Sequence, residues 1–318
     1  MTNASAFHFE SLVWDWPIAI YLFLIGISAG LVTLSILLRR YHPEAGGADS
    51  TLLRTTLVVG PGAIILGLLI LIFHLTRPWT FWKLMFHYSF TSVMSMGVLL
   101  FQLYMVVLIL WLAIIFQKEV MALQQRWFPR LGLVQKVLAL LTPFNRGLET
   151  LMLVLAVLLG AYTGFLLSVL KSYPFLNNPI LPVLFLFSGI SSGAAVALIA
   201  MALRQRGNPH STEAHFIHRV ETPVVWLEIF LLAAFFVGLA LGDDGKMRAL
   251  SAALGGGFWT WWFWIGVAGL GLIVPMLLKP WANRGSTFHG VLAVCGASLT
   301  GVLLLRFFIL YAGQLTVA

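Results

Sequence analysis

The chain has 318 residues, 60% of them hydrophobic and 9% charged, with a single cysteine. A soluble domain carries about 25% charged residues, so this chain is built for lipid, and one cysteine excludes a disulfide framework and any cysteine-ligated cluster or zinc centre. The net charge of +8 is spread over short loops between apolar runs, which reads as topogenic charge rather than as a nucleic-acid footprint.

Eight apolar runs reach the roughly 20 residues needed to cross a bilayer, and together they predict an all-α polytopic membrane protein. They lie near residues 17–38, 52–75, 90–116, 147–170, 180–203, 223–241, 258–278 and 288–313. The first follows "WDW" at Trp14–Trp16, opens on Pro17, carries Tyr21 one turn in, and ends at Arg39 and Arg40. The second closes on His74 and Arg77, and the third is entered through His87, Ser89 and Ser92. The fourth starts at Asn145, with Glu149 in its first turn and Tyr162 about 24 Å further along. The fifth follows Pro179 and ends at Arg204 and Arg206; the sixth opens at Pro223, with Glu221 and Glu228 beside and inside it. Pro and small polar residues at these starts are expected, because the first helical turn has no use for a proline's missing N–H. The eighth run holds Arg306 and Tyr311.

Loops after the first, third, fifth and seventh runs hold 13 of the 19 Lys and Arg residues; the remaining tail and loops hold five. The positive-inside rule makes the basic loops cytoplasmic and both termini periplasmic. The N-terminus lacks a basic n-region, so no cleaved signal peptide is expected.

"GISAG" at Gly26–Gly30 returns as "GISSG" at Gly189–Gly193, offset by 163 residues, and "YTG" at Tyr162 returns as "YAG" at Tyr311. The pattern predicts two parallel four-helix bundles: residues 1–146 plus the helix 147–170, then 171–318. Small residues in such motifs let membrane helices approach closely. The copies differ in polarity: at the same offset Tyr21 becomes Leu184 and His74 becomes Val237. A site is therefore expected in the first bundle.

There Tyr21, His74, Arg77 and Tyr162 share one level below the outer surface, with Trp14, Trp16, Trp79 and Trp82 around them. Singly, the aromatics fit an interfacial belt and Arg77 a snorkelling side chain. His74 is an ionisable group at membrane depth, which marks a pathway or site. An apolar pocket with a few convergent polar groups suits a small ligand; reached from lipid, a quinol fits. Haem does not, because only His74 of the eight histidines lies within a run while His8, His42, His87, His210, His215, His218 and His289 lie in loops or at ends. Glu149 and Glu221 read as solvated near the cytoplasmic surface. Glu228 and Arg306 are deeper and leave two readings open, an ion pair or part of a proton route with Glu149.

The stretches "WDWPIAIYLFLIGISAG", "HLTRPWTFWKLMF", "SFTSVMSMG", "YTGFLLS" and "LPVLFLFSGISSGAA" resemble the NrfD-type family, which includes the membrane subunit of polysulfide reductase, and within it the branch serving nitrite reduction in enteric bacteria. The resemblance covers nearly the whole sequence. It implies a multi-pass protein of the bacterial inner membrane with no haem, iron–sulfur cluster or metal of its own, and a quinol (menaquinol) site at the outer end of the first bundle. A ferredoxin-like 4Fe-4S subunit on the periplasmic side, followed by c-type cytochromes, would take the electrons. Nitrite reduction at that face implies quinol oxidation.

In the polysulfide reductase subunit the quinone contacts come from an Asn and a His of the first helix and a Tyr of the fourth. Tyr162 matches the last, whereas Ile18 and Tyr21 occupy the other two positions, so His74 or Asp15 is left to compensate. The expected catalytic groups are Tyr162 and His74, with Tyr21, Arg77, Asp15 and Ser92 binding quinol. The rival readings are a secondary transporter with a midplane site and a passive anchor.

Overall fold

The computed structural model describes residues 6–75, 77–127, 133–204, 212–285 and 288–316. Arg206 and His210, singled out above, lie outside them. The described residues are helical throughout their regular structure, with no strand. Eight helices are long and apolar enough to cross a membrane: α1 (Trp16–Tyr41), α2 (Thr51–His74), α3 (Val93–Ile115), α4 (Asn145–Ser168), α5 (Leu181–Arg204), α6 (Thr212–Ala240), α7 (Phe258–Lys279) and α8 (Phe288–Ala312). Shorter helices at Gln117–Trp127 and Leu133–Leu141 join α3 to α4, and Asp244–Leu254 joins α6 to α7.

The ends follow from local chemistry. Pro17 sits in the first turn of α1, and Arg39 and Arg40 sit in its last, against the negative end of the helix dipole. Ser50 caps α2 by accepting from the Leu53 N–H at 3.3 Å, and Ser92 caps α3 by accepting from the Ser95 N–H at 3.4 Å. The third span therefore begins at Val93 rather than at residue 90.

The sixth span departs further from expectation, since α6 starts at Thr212 and carries Pro223 inside it. Its polar first turns have no apolar signal; they are held by what they do for a neighbour. Glu213 accepts from the backbone N–H groups of Thr51 and Leu52 at 3.1 and 3.2 Å, satisfying free donors at the start of α2. In α7 the stretch Trp262–Ile273 winds as a π-helix, which periodicity could not reveal.

The most buried spans are α1 and α5, with 78% and 67% of their apolar windows buried, against 11% for α7. The two repeated motifs meet there. A Cβ on Gly30 would come within 2.1 Å of the Gly189 carbonyl oxygen, and one on Gly193 within 2.6 Å of the Gly30 carbonyl carbon. Gly26 lies against Gly189 and Gly30 against Gly193, so the contacts advance in the same sense along both helices.

A second tie joins the N- and C-terminal segments. The Gln314 side chain, fully buried just past α8, accepts from the N–H groups of Val13 and Trp14 at 2.9 Å each and donates to the Trp14 carbonyl at 2.8 Å. Its own backbone carbonyl accepts from the Ser11 hydroxyl at 2.5 Å, and the Tyr173 hydroxyl donates to the Ser11 carbonyl at 2.9 Å. The N-terminal strap is thereby fixed against α8, and it delivers Asp15 to the start of α1.

Candidate functional site among the first four spans

Three helices contribute one aromatic line. Phe101 of α3 stands between Tyr21 of α1 and Tyr162 of α4, each ring centroid 5.9 Å from its own, with Tyr162 edge-on at 89°. Space for the tyrosines comes from glycines. A Cβ on Gly97 would lie 1.9 Å from the Tyr162 hydroxyl oxygen, and one on Gly67 would lie 3.5 Å from the Tyr21 ring. Tyr21 and Tyr162 are 4% and 9% exposed. Neither hydroxyl makes a hydrogen bond among the described residues, although a buried phenol ordinarily has one, and neither oxygen is among the fully enclosed unpaired polar atoms, so open space remains beside both.

Lower in the same bundle the rule is obeyed. The Tyr104 hydroxyl lies 3.0 Å from the Ser28 hydroxyl, which donates to the Gly60 carbonyl at 2.8 Å. The hydroxyls of Tyr21 and Tyr162 are thus the unusual pair.

At the rim, His74 Nε2 faces Asp15 Oδ1 at 3.0 Å. Asp15 is six residues before Tyr21 and His74 seven beyond Gly67, so this pair stands roughly 9–10 Å above the tyrosine level. The single level expected from the sequence is therefore corrected to two: phenols inside, an acid–imidazole pair at the mouth. Arg77 does not join either; it is exposed and starts the turn Pro78–Thr80. The Ser92 hydroxyl is engaged in capping α3. His87 and Ser89 lie in the exposed loop before α3.

The charged residues elsewhere are also rearranged relative to expectation. Glu149 and Glu221 are buried and paired rather than solvated: Glu149 accepts from Arg39 Nε at 2.7 Å, and Glu221 accepts from Lys279 Nζ at 2.7 Å with His218 Nδ1 at 3.3 Å. Glu228 and Arg306 do not form a direct ion pair, which removes one of the two readings. Arg306, fully buried, donates to the Phe185 carbonyl at 3.1 Å and to the Ser188 hydroxyl at 2.6 Å, and its guanidinium lies 3.6 Å over the Phe185 ring. A cavity of about 160 Å³ opens in the second bundle, bordered by Ser191, Glu221, Glu228, Val267, Lys279 and Ser298.

Tyr311, the echo of Tyr162, is packed differently. It stacks on Trp259 at 5.4 Å and on Phe307 at 6.0 Å, and with Asp15 it lines a cleft against the N-terminal strap. Phe101, Gly97 and Gln314 went unnoticed in the sequence. The first two sit in an apolar run with nothing to mark them, and Gln314 shows its role only through contacts 300 residues away.

The family model described as "Polysulphide reductase, NrfD" matches residues 4–318. The sequence is 86% identical over 318 residues to Protein NrfD of Escherichia coli, covering 100% of both proteins. It is 48% identical over 314 residues to the Protein NrfD homolog of Haemophilus influenzae, covering 98% of each. It is 38% identical over 308 residues to the C subunit of polysulfide reductase from Wolinella succinogenes, covering 96% of each. A helical protein with eight membrane-spanning candidates, matched end to end in this way, belongs to the NrfD family of membrane subunits of oxidoreductase systems.

Proposed function

We propose that this protein binds and oxidises a quinol, menaquinol in its native membrane, at the outer end of the first bundle. Its electrons pass to a 4Fe-4S subunit on the periplasmic side and on to c-type cytochromes that reduce nitrite. The supporting observation is the pair of buried tyrosines, Tyr21 and Tyr162, whose hydroxyls make no hydrogen bond among the described residues, set around Phe101 below the Asp15–His74 pair. The similarity to a protein named as a polysulfide reductase subunit agrees with a redox role.

Each part has a chemical task. The Phe101 face and the apolar helix surfaces exclude water and take up a planar ring. The phenol hydroxyls hydrogen-bond the quinol oxygens and stabilise the negative charge that develops as a proton leaves. Oxidation releases two electrons and two protons per quinol. His74, whose Nε2 lies 3.0 Å from Asp15 Oδ1, is the proton acceptor at the mouth, and Tyr162 stands at the inner end. By the positive-inside rule the basic loops face the cytoplasm, the site opens to the periplasm, and the protein lies in the inner membrane with both termini outside.

A photoreactive menaquinone analogue tests the reading directly in membranes holding the full-length protein. Crosslinks are expected on peptides carrying Tyr21, Phe101 or Tyr162, and excess menaquinone should suppress them. Crosslinks confined to the second bundle, or insensitive to competition, would leave the protein a passive anchor.

A further inference from the structure

The repeated serine leads to a second site. Ser28 in the first motif and Ser191 in the second are equivalent at the 163-residue offset. Ser28 meets the Tyr104 hydroxyl at 3.0 Å, and the large ring fills the bundle interior. At the same offset Tyr104 becomes Val267 and Ile65 becomes Glu228. Ser191 and Glu228 accordingly border one common space, and the volume a tyrosine occupies in one bundle is the cavity of about 160 Å³ in the other. A core built only for packing would have closed this space, because a void forfeits contacts on every side. Here it is bordered instead by a carboxylate only 3% exposed.

The cavity is partly open. It runs from Glu221, Thr222 and Lys279 at the basic-loop face to Leu232 and Val267, roughly 16 Å along α6. At the mouth Lys279, His218 and Glu221 form a partly exposed cluster. Along the wall, the π-helical turn of α7 brings Gly271 against Gly301, where a Cβ would meet Cα at 2.6 Å. Such departures from the α-helix often mark functional sites. Most of its wall is apolar, but the Glu228 carboxylate and the Ser191 and Ser298 hydroxyls on it offer partners to a few water molecules that its volume admits. Arg306, next in α8 to the wall residue Leu305, is fully buried, with Nε and Nη1 unpartnered.

We propose that the second bundle holds a water-filled proton inlet open only to the basic-loop face, ending at Glu228 and closed by Arg306. A hydronium in the inlet gives its proton to a Glu228 carboxylate oxygen, leaving water; the reverse step returns it, and no electron moves. Lys279, His218 and Glu221 set the charge at the mouth, and buried Cys295 is their other titratable neighbour. The fixed cation at the end repels a proton going further, as a buried arginine does in other pores. This inlet does not depend on the quinol reading.

The test uses the full-length protein in sealed vesicles, with Cys295→Ser as background and a membrane-impermeant, charged methanethiosulfonate as probe. Because only a thiolate attacks, Ser298→Cys in the inlet should react from the basic-loop face at least about tenfold faster than Val237→Cys on the exposed outside of α6, and should not react from the opposite face. Equal rates at the two thiols, or reaction from the opposite face, overturn the inlet. Arg306→Ala variants that retain this labelling should let protons leak through proteoliposomes, and adding Glu228→Gln should stop the leak. A labelled, properly inserted Arg306→Ala variant that stays proton-tight removes the plug.

Discussion

Replacing Tyr162 by Phe deletes one oxygen from the proposed quinol site and leaves the ring in place. The ring keeps its edge contact with Phe101, and the lost hydroxyl has no partner among the described residues, so folding loses no internal hydrogen bond. Thermal stability in detergent should therefore be unchanged. A hydrogen bond to a charged group is worth about 1.5–3 kcal/mol, and at about 1.4 kcal/mol per decade the rate of quinol oxidation should fall roughly 10- to 150-fold. The assay is menaquinol-dependent electron delivery by the assembled complex, normalised to the inserted subunit. Tyr104→Phe is the matched control. Its hydroxyl is bonded to Ser28, so it should cost about 0.5–1.5 kcal/mol of stability while leaving turnover nearly intact. Tyr311→Phe is a poorer control than the repeat suggests, since Tyr311 borders the same cleft as Asp15. Unchanged turnover in Tyr162→Phe, or equal losses in Tyr162→Phe and Tyr104→Phe, would refute the assignment.

Four further outcomes follow from the same geometry. Gly97→Ala places a methyl 1.9 Å from the Tyr162 hydroxyl and should reproduce the Tyr162→Phe defect by displacing the ring; turnover at the parental level would mean the ring position is irrelevant. Asp15→Asn removes the orienting charge from His74 across a partly exposed pair, so stability should change by less than about 1 kcal/mol while turnover falls about tenfold or more. Gln314→Ala frees the N-terminal strap, so limited proteolysis should cut before Trp16 faster than in the parent, with turnover falling as in Asp15→Asn. A reporter fused after Ala318 should register the periplasm, and a cytoplasmic signal would invert the proposed orientation.

The eight spans were legible because lipid demands long apolar helices whose backbone groups are satisfied internally, and such runs stand out in any sequence. The start of α6 was not, because its first turns are polar and are held by Glu213 capping another helix. Tyr162, His74 and Asp15 could be named because each breaks an apolar run or adjoins one. Their grouping could not: helix pitch fixes depth only along one axis, and the Asp15–His74 pair forms because Gln314 pins the strap. The cavity was hidden for a related reason. Val267 is an ordinary residue in its own run, and its meaning lies in the comparison with Tyr104 and in the π-helical winding around it.

The contact between the two glycine motifs bears on how the halves of the molecule can communicate. Where a Cβ at Gly30 would strike a neighbouring carbonyl at 2.1 Å, the two backbones touch with no side chains between them to slide over one another. Rocker-type carriers alternate by tilting one bundle against the other, and that motion would have to tear this seam open. The seam is thus a weld rather than a hinge, and it disfavours the transporter reading. Arg306 Nη2 lies 3.6 Å from where a Cβ on Gly26 would sit, so a charge of the second bundle borders the weld itself. A signal passing through this seam would travel as a change of electric field rather than as a rigid-body movement.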